Sequence, residues 1–276
     1  MIPIGPFRKV PMGGGAKLHP YLPLVITPSF LELYLDSRLG TSGFANGANV
    51  NLLPDQSGHS PARDAITNLV DPTMGRSGVS LTPNSVATIN FRGNNDAQGL
   101  QGRTQFNWPA ITTRGYTLYW YGLTEQKTVG PYSLVNQVVF AGDPANWHTQ
   151  HVLNSGGGTA SCGLVDDAGG GAPKRFVLSA NIVNKWQLHT LVLPSPNNNT
   201  VAARYYINGV QQSQIGGGAT YQCSQTGVSS YFLGNTGGFN VAFRGNIGAY
   251  FLYSTTHSVG TIGLFATWAD VFFGLT

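Results

Sequence analysis

Charge is scarce in this sequence. Asp, Glu, Lys and Arg make up 9% of its 276 residues, against roughly 25% in ordinary globular domains. Glutamate is nearly missing, with Glu32 and Glu125 the only two. So little charge excludes the charge-rich type of disordered chain. It leaves the surface to Asn, Gln, Ser, Thr and backbone amides. It also leaves little repulsion between copies, which suits a chain that packs against neighbours. The net charge is +4, and the fifteen basic residues are scattered from Arg8 to Arg244 instead of forming a stripe. That distribution argues against nucleic acid as a partner.

Long apolar runs are also missing. No stretch reaches the ~18 residues that a membrane-crossing helix needs. The opening MIPIGPFRKVPMGGGAK has no apolar core after a basic start, so it does not read as a secretory signal. The expectation is synthesis in a cytoplasm. Two cysteines, Cys162 and Cys223, make no disulfide framework. They either pair or stay as buried thiols, and a reducing compartment favours thiols. The sequon Asn198-Asn199-Thr200 carries little weight without a secretion signal.

What the chain has in quantity is glycine (37), proline (16) and apolar residues (41%). Residues 1–28 read as an extended arm. Proline recurs at positions 3, 6, 11, 20, 23 and 28, with Gly13-Gly14-Gly15 between. Such a stretch supports neither helix nor central strand, and an arm of this kind needs something to hold it. A neighbouring chain is the expected holder, with Phe7, Arg8, Lys9 and Lys17 as docking residues. Residues 29–276 read as one domain of short strands between Gly/Asn/Pro turns. Strands are expected at 31–35, 86–92, 115–123, 134–141, 146–154, 174–181, 186–194, 202–209 and 242–254. In WQLHTLV, Trp186, Leu188, Thr190 and Val192 face one way, and Gln187, His189 and Leu191 the other. Asn208-Gly209 suits a tight hairpin turn. The helix candidate is SVGTIGLFATWADVFF, with Ser258 as N-cap and Ile262, Phe265, Ala269 and Phe272 on one face. Trp120, Trp186 and Trp268 are expected in the core.

The stretch NVNLLPDQSGHSPARD sets Asp55, Ser57 and His59 within five positions, the residue types of a hydrolase triad. A triad needs its histidine bonded to the nucleophile with an acid behind it. This spacing, with Gly58 inside, favours an Asx turn in which Asp55 binds the amides that follow. The triple glycines at 156–158, 169–171 and 216–218 lead into no Gly-Lys-Ser/Thr, so they read as permissive turns and not as phosphate loops.

Several stretches together resemble a known family. LELYLDSRLGTSGFANGANVNLLPDQSGHS, ATINFRGNND, RYYINGVQ, YFLGNTGGFNVAFRGNIGAYFLYS and ATWADVFFGL occur in the order found in concanavalin A-like lectin/glucanase domains of the laminin-G-like type. The resemblance covers roughly residues 30–275. It implies an all-β, concanavalin A-like β-sandwich (jelly roll), to which the chain adds one short C-terminal helix and the N-terminal arm.

Several members of that superfamily cleave glycans, with two carboxyls about 5–5.5 Å apart in the retaining type. Their Glu-x-Asp-x-x-Glu motif is missing here, and Gln150-His151 lacks the spacer that lyases on similar folds have. A non-catalytic chain is therefore expected. The enzymatic alternative is an acid/base pair such as Asp143 with His148. Laminin-G-like domains often hold calcium, for which Asp143, Asp166 and Asp167 offer oxygens. For Asp166 and Asp167 an exposed turn is the competing reading, and the favoured one. His148 and His151 face opposite sides of a strand, which excludes a shared ion without a bulge. Glycan binding needs an exposed aromatic platform beside amide hydrogen-bonders. Trp147 with Asn146 and His148 fits best, followed by Trp108 and Tyr132, although Trp147 suits a core position equally. The resemblance, with the low charge and the lack of a signal, implies a virion structural or decoration protein of the kind carried by phage. Such a protein docks to neighbouring subunits and attaches to host glycans. A free-standing carbohydrate-binding module is the alternative.

Overall fold

The computed structural model describes residues 18–39, 41–67, 72–75, 80–92, 98–107, 114–125, 136–141, 150–154, 161–165, 174–177, 184–194, 204–215, 228–234 and 243–276. Strands β1 (Leu31–Asp36), β2 (Leu52–Leu53), β3 (Ala65–Thr67), β4 (Thr73–Gly75), β5 (Thr88–Arg92), β6 (Leu100–Gly102) and β7 (Phe106–Asn107) come first. Then follow β8 (Tyr116–Thr124), β9 (Asn136–Ala141), β10 (Gln150–Asn154), β11 (Ser161–Val165) and β12 (Lys174–Val177). The last strands are β13 (Trp186–Leu193), β14 (Arg204–Ile207), β15 (Val210–Gln211), β16 (Ser213–Ile215), β17 (Val228–Ser229), β18 (Phe232–Leu233) and β19 (Arg244–Tyr253). Helix α1 (Val259–Phe273) follows them.

The first sheet runs β15-β14-β13-β8-β19-β5-β4, with β1 also on β19, and the second β16-β12-β11-β10-β9-β18-β6-β3-β2. Strands β7 and β17 form a separate pair. The pairings are antiparallel throughout. The two sheets enclose one core. Leu118, Trp120, Leu191, Tyr250 and Leu252 from the first sheet share it with Leu53, Ala65, Leu100 and Leu233 from the second. The opposite face of the first sheet is also covered. There Tyr119, Tyr121, Leu188, Phe251 and Tyr253 pack against Ile262, Phe265, Trp268 and Phe273 of α1 and against Leu22. The central strands therefore have no solvent side, and all of β8 and β13 is buried. This is why YTLYWYGLT and WQLHTLVL carry aromatic and aliphatic residues at both parities.

Strand β19 solves a register problem. Its first half pairs with β5 and its second half with β1, along the same edge. Between them a bulge at Gly248 shifts the pairing, from Ile247 opposite Gly122 to Ala249 opposite Tyr121. The shift moves the odd positions from the inter-sheet core (Ile247) to the helix side (Ala249, Phe251, Tyr253). A Cβ at Gly248 would stand 2.9 Å from the Tyr121 ring, so the close approach favours glycine. The carbonyl of Gly248 accepts from the Ser37 amide at 2.8 Å.

Where residues are described, the expected strands are present, with ends displaced by a few residues. Residues 146–149 and 178–181 lie outside the description. The faces of β13 are as expected, with Trp186, Leu188 and Val192 on the helix side and Leu191 in the inter-sheet core. Asn208 (φ 50°) and Gly209 (φ 80°) form the turn between β14 and β15. Ser258 caps α1 by accepting from the Thr261 amide. Trp120, Trp186 and Trp268 are buried. One helix position is corrected: Phe273 is fully buried and Phe272 only partly, because the last turn rolls Phe273 onto Tyr121, 4.7 Å between ring centroids.

A second correction concerns residues 18–28, which were expected to need a neighbouring chain. Their own chain holds them. They form a strap with two single 3-10 turns, Leu22–Leu24 and Pro28–Phe30, the second of which closes on β1. Leu22 is buried, and Leu18, Leu24, Val25 and Ile26 pack on the α1 layer. Proline removes donors but keeps its carbonyl. Pro23 O accepts from the Tyr253 hydroxyl at 2.8 Å, and Pro20 O from Trp268 Nε1 at 3.0 Å. A strap needs no ladder of its own to dock. Among the described residues no helix is long and apolar enough to cross a membrane.

Gly245 offers a test of the central sheet. Its φ of 147° lies where L side chains rarely go, and a Cβ there would meet the Leu123 carbonyl oxygen at 2.0 Å. Gly245→Ala is expected to cost roughly 3 kcal/mol or more in chemical denaturation. A variant as stable as the parent would show that the β8–β19 pairing is wrong at this point.

Candidate functional site

The segment that resembles a triad folds around Asp55. Its Oδ1 accepts from the amides of Tyr34 (3.1 Å) and Ser57 (2.9 Å). Its Oδ2 accepts from the Ser57 hydroxyl (2.7 Å) and the Arg63 amide (3.2 Å). This is the expected Asx turn. The Ser57 hydroxyl donates to a carboxylate, a far weaker base than imidazole, and makes no bond to a histidine, so the Ser–His contact of a triad is missing. His59 points away, with Nε2 2.9 Å from the Leu31 carbonyl oxygen and 3.6 Å from Glu32 Oε2.

Around this turn lies a joint between the two sheets. Arg63 Nη1 donates to Glu32 Oε2 (2.6 Å) and to the Glu32 carbonyl (2.7 Å). The other oxygen of Glu32 accepts from the Ser254 hydroxyl at 2.6 Å. The Arg63 carbonyl accepts from Tyr231 at 2.7 Å, and Asp64 Oδ1 accepts from the Asp55 amide at 2.9 Å. Strands β1 and β19 of the first sheet are thereby tied to the β2–β3 edge of the second. Glu125 is likewise paired, 3.0 Å from Arg244 Nε. Both glutamates of the chain hold arginines, so neither stands free as a glycanase nucleophile or acid.

A second polar cluster anchors the strap. Asp36, wholly buried, accepts from the Tyr34 hydroxyl (2.5 Å), the Arg38 amide (2.8 Å) and Arg38 Nη2 (2.5 Å). Burial, reinforced by the nearby Asp36 charge, pushes the Tyr34 phenol well above its usual range. The Arg38 guanidinium lies 4.5 Å from the Phe273 ring centre, 5.3 Å from Tyr21 and 5.4 Å from Trp268, an aromatic setting that suits its weakly hydrated cation. Its Nη2 also donates to Pro20 O at 3.1 Å. At the other end of the strap is His257, buried, with Nε2 3.1 Å from Thr27 Oγ1 and Nδ1 2.8 Å from the Tyr119 hydroxyl. Its ring stands 4.4 Å from Tyr253 and lies parallel to Phe265. Burial lowers its pKa to about 4. The sequence reading assigned no role to Arg38 or His257. The available signals were an Asp-Ser-Arg run at the end of a strand and a histidine beside a helix cap.

The glycan-platform candidates Trp147, Asn146, His148, Trp108 and Tyr132 lie outside the described residues. So do the arm residues Phe7, Arg8, Lys9 and Lys17, the calcium candidates Asp143, Asp166 and Asp167, and Cys223. Cys162 lies on β11. Among the described residues no three His, Cys, Asp or Glu side chains stand close enough to hold a metal ion.

No protein-family model matches the chain, and no curated protein matches it by sequence. Solved structures of botulinum neurotoxin binding domains share its fold. One is of the type C toxin, whose uptake into cells depends on interaction with two ganglioside molecules. It superposes with a TM-score of 0.55 at 13% identity, over 87% of this chain and 51% of that one. A serotype DC binding domain in complex with rat synaptotagmin II gives 0.54 at 12% identity, over 87% and 52%. The serotype G binding domain gives 0.53 at 13%, over 85% and 50%. The chain thus spans about half the length of these structures. At such identity the likeness is one of fold.

The two clusters make two predictions. Asp55→Ala removes the acceptor for four donors and is expected to cost about 2–4 kcal/mol, whereas Ser57→Ala costs about 1 kcal/mol. Urea unfolding of both variants checks the ranking, and equal costs would contradict the Asx turn. For His257, the unfolded chain binds the proton near pH 6.5 and the folded chain only near 4. Its contribution is therefore complete above 6.5 and falls as pH drops towards 4, by about 3 kcal/mol in all. His257→Gln is expected to flatten the stability curve between those pH values; an unchanged slope would place the titration elsewhere.

Proposed function

We propose that the chain is a non-catalytic, carbohydrate-binding sandwich module. The observation that carries this reading is the structural likeness, over 87% of the chain and 51% of the other, to a structure of a toxin whose cell entry depends on interaction with two ganglioside molecules. The joint adds to it, because the carboxylates around Asp55 and Glu32 are saturated by structural partners and not poised for acid/base work.

Both faces of the first sheet are packed, which favours the second sheet and its connections as the place for a ligand. Residues 142–149 join β9 at Ala141 to β10 at Gln150 and carry Asn146, Trp147 and His148. Tyr132 precedes Asn136, the other end of β9, about 17 Å away along the strand. The sequence sets an amide and an imidazole, Asn146 and His148, on either side of Trp147, which supports it over Tyr132 as the platform.

The narrower reading is a concanavalin A-like jelly roll carried on a virion as a structural or decoration protein. It is supported by the order of the resembling motifs and by a surface of low charge suited to packing against neighbours.

A glycan array, including ganglioside head groups, tests the proposal. Binding by the parent chain is expected to fall at least about tenfold in Trp147→Ala and to stay within about twofold in Tyr132→Ala. Absence of binding to any glycan would overturn the reading. Turnover of a bound glycan that is lost in Asp143→Asn or His148→Gln would replace it with the enzymatic one.

A further inference from the structure

Residues 24–29 of the strap are tied to the layer beneath them at a single polar point. On one side of them Pro20 is bonded to Trp268 and Arg38, and on the other the Phe30 carbonyl accepts from the Ser254 amide at 2.8 Å. Between these anchors Leu24, Val25 and Ile26 are only partly buried, and Thr27, Pro28 and Ser29 are exposed. Among the described residues, the one hydrogen bond from this segment to any part of the chain beyond residue 31 joins Thr27 Oγ1 to His257 Nε2. Thr27 itself is strained. It stands in the left-handed region, φ 41° and ψ 53°, which a β-branched residue adopts only at a cost. The bond to His257 thus holds closed a segment whose own backbone favours release.

His257 is badly placed to carry a charge. It is buried, and it directly precedes the N-cap Ser258, at the positive end of the α1 dipole. The groups that face it are Thr27 from the strap, Thr117 and Tyr119 from β8, Tyr253 from β19 and Phe265 from α1, with Tyr206 of β14 next to Tyr119. None is a carboxylate. Burial pushes the Tyr119 and Tyr253 phenols far up, so they stay neutral and give a cation no counter-charge. In the neutral ring each nitrogen has one hydroxyl partner, Thr27 or Tyr119, one donating to it and the other accepting. An imidazolium donates from both nitrogens, so the donating hydroxyl would have to turn its proton away inside an aromatic setting. The Tyr253 and Phe265 rings attract a cation, but burial prevails and lowers the pKa to about 4.

We propose that His257 is an acid-operated latch, whose protonation frees Thr27 and lets residues 24–29 swing out between the anchors at Pro20 and Phe30 while the sandwich and α1 stay folded. Opening relieves the left-handed threonine and gives the imidazolium access to water. In the open form His257 titrates near its ordinary 6.5, and in the closed form near 4. The closed form is therefore fully favoured above pH 6.5 and loses ground as pH falls towards 4. From pH 7 to pH 5 the open-to-closed ratio rises about twentyfold, in a window where Asp and Glu remain largely ionised.

Residue-resolved hydrogen exchange of the full chain at pH 7 and pH 5, corrected for intrinsic rates, tests the latch. The reporters are the amides of Val25 and Ile26, which donate to the Leu22 carbonyl, and of Phe30, which donates to the Thr27 carbonyl. Their protection is expected to lie below that of the β8 and β13 amides and to respond little to low urea, as local opening requires. It is expected to fall about twentyfold between the two pH values. In His257→Gln this fall is expected to vanish. Thr27→Val, which removes the latch hydroxyl at an exposed position and leaves the imidazole in place, is expected to lower reporter protection at pH 7 about fivefold. A fall that persists in His257→Gln, or unchanged protection in Thr27→Val, would overturn the proposal. So would reporters that match the β8 and β13 amides at both pH values, since His257 would then meet water only on global unfolding.

Discussion

Burial of the first sheet on both faces is the constraint from which the rest of this structure follows. A strand with one wet side can alternate apolar and polar residues, but β8, β13 and the second half of β19 have no wet side. Their side chains are split between two cores, with Trp120 stacked on His189 at 4.1 Å in one and Tyr119 stacked on Phe251 at 4.7 Å in the other. Large rings on both faces require glycine where they crowd. At Gly122 a Cβ would meet the Asn246 carbonyl oxygen at 2.3 Å and the Trp120 ring at 2.9 Å. The helix and the strap are needed for the same reason: without them Tyr119, Tyr121, Phe251 and Tyr253 would form a large exposed apolar patch.

In a protein with so few charges, several of the described ones are tied to particular junctions. Asp36 and Arg38 hold the strap to the end of β1 and to α1, and Glu32 and Arg63 hold the two sheets together at one corner. A buried carboxylate is costly unless fully bonded, and Asp36 meets that condition with Tyr34 and Arg38. The arrangement gives the fold specificity at its seams while the cores remain apolar or aromatic. It also explains why triad-type residues can lie together without chemistry. The Asp55 turn is an anchor for the Tyr34 amide and the Arg63 amide, so its carboxylate is fully engaged before any substrate arrives.

The parts of this fold that were legible from sequence are those where one local rule decides. Two-sided strands announce themselves by length and by aromatic content, as in YTLYWYGLT. Asn208-Gly209 and Ser258 act through their own backbones and are read without knowing the surroundings. Strands β2, β3, β4, β6, β7, β11, β15, β16, β17 and β18 were missed. All but β11 are two or three residues long, too short for any alternation, and exist because a neighbouring strand supplies partners. The strap was misjudged for a related reason. Proline and glycine describe which hydrogen bonds a segment cannot make, but they say nothing of the carbonyls and side chains with which Pro20, Leu22 and Pro23 dock. Arg38 and His257 were invisible as features because their meaning lies in rings distant in sequence, Phe273 and Trp268 for one and Tyr119 and Phe265 for the other.

The same two-sided burial limits where recognition can occur. The first sheet, its covering helix and the strap are committed to stability, and the polar joints among the described residues are internally satisfied. The proposed carbohydrate site is therefore sought in the second sheet and its connections. Of the remaining tryptophans, Trp147 stands between Asn146 and His148 in the connection from β9 to β10, and Trp108 follows β7 in the connection to β8. Saccharide recognition of the kind proposed needs an aromatic face beside hydrogen-bonders.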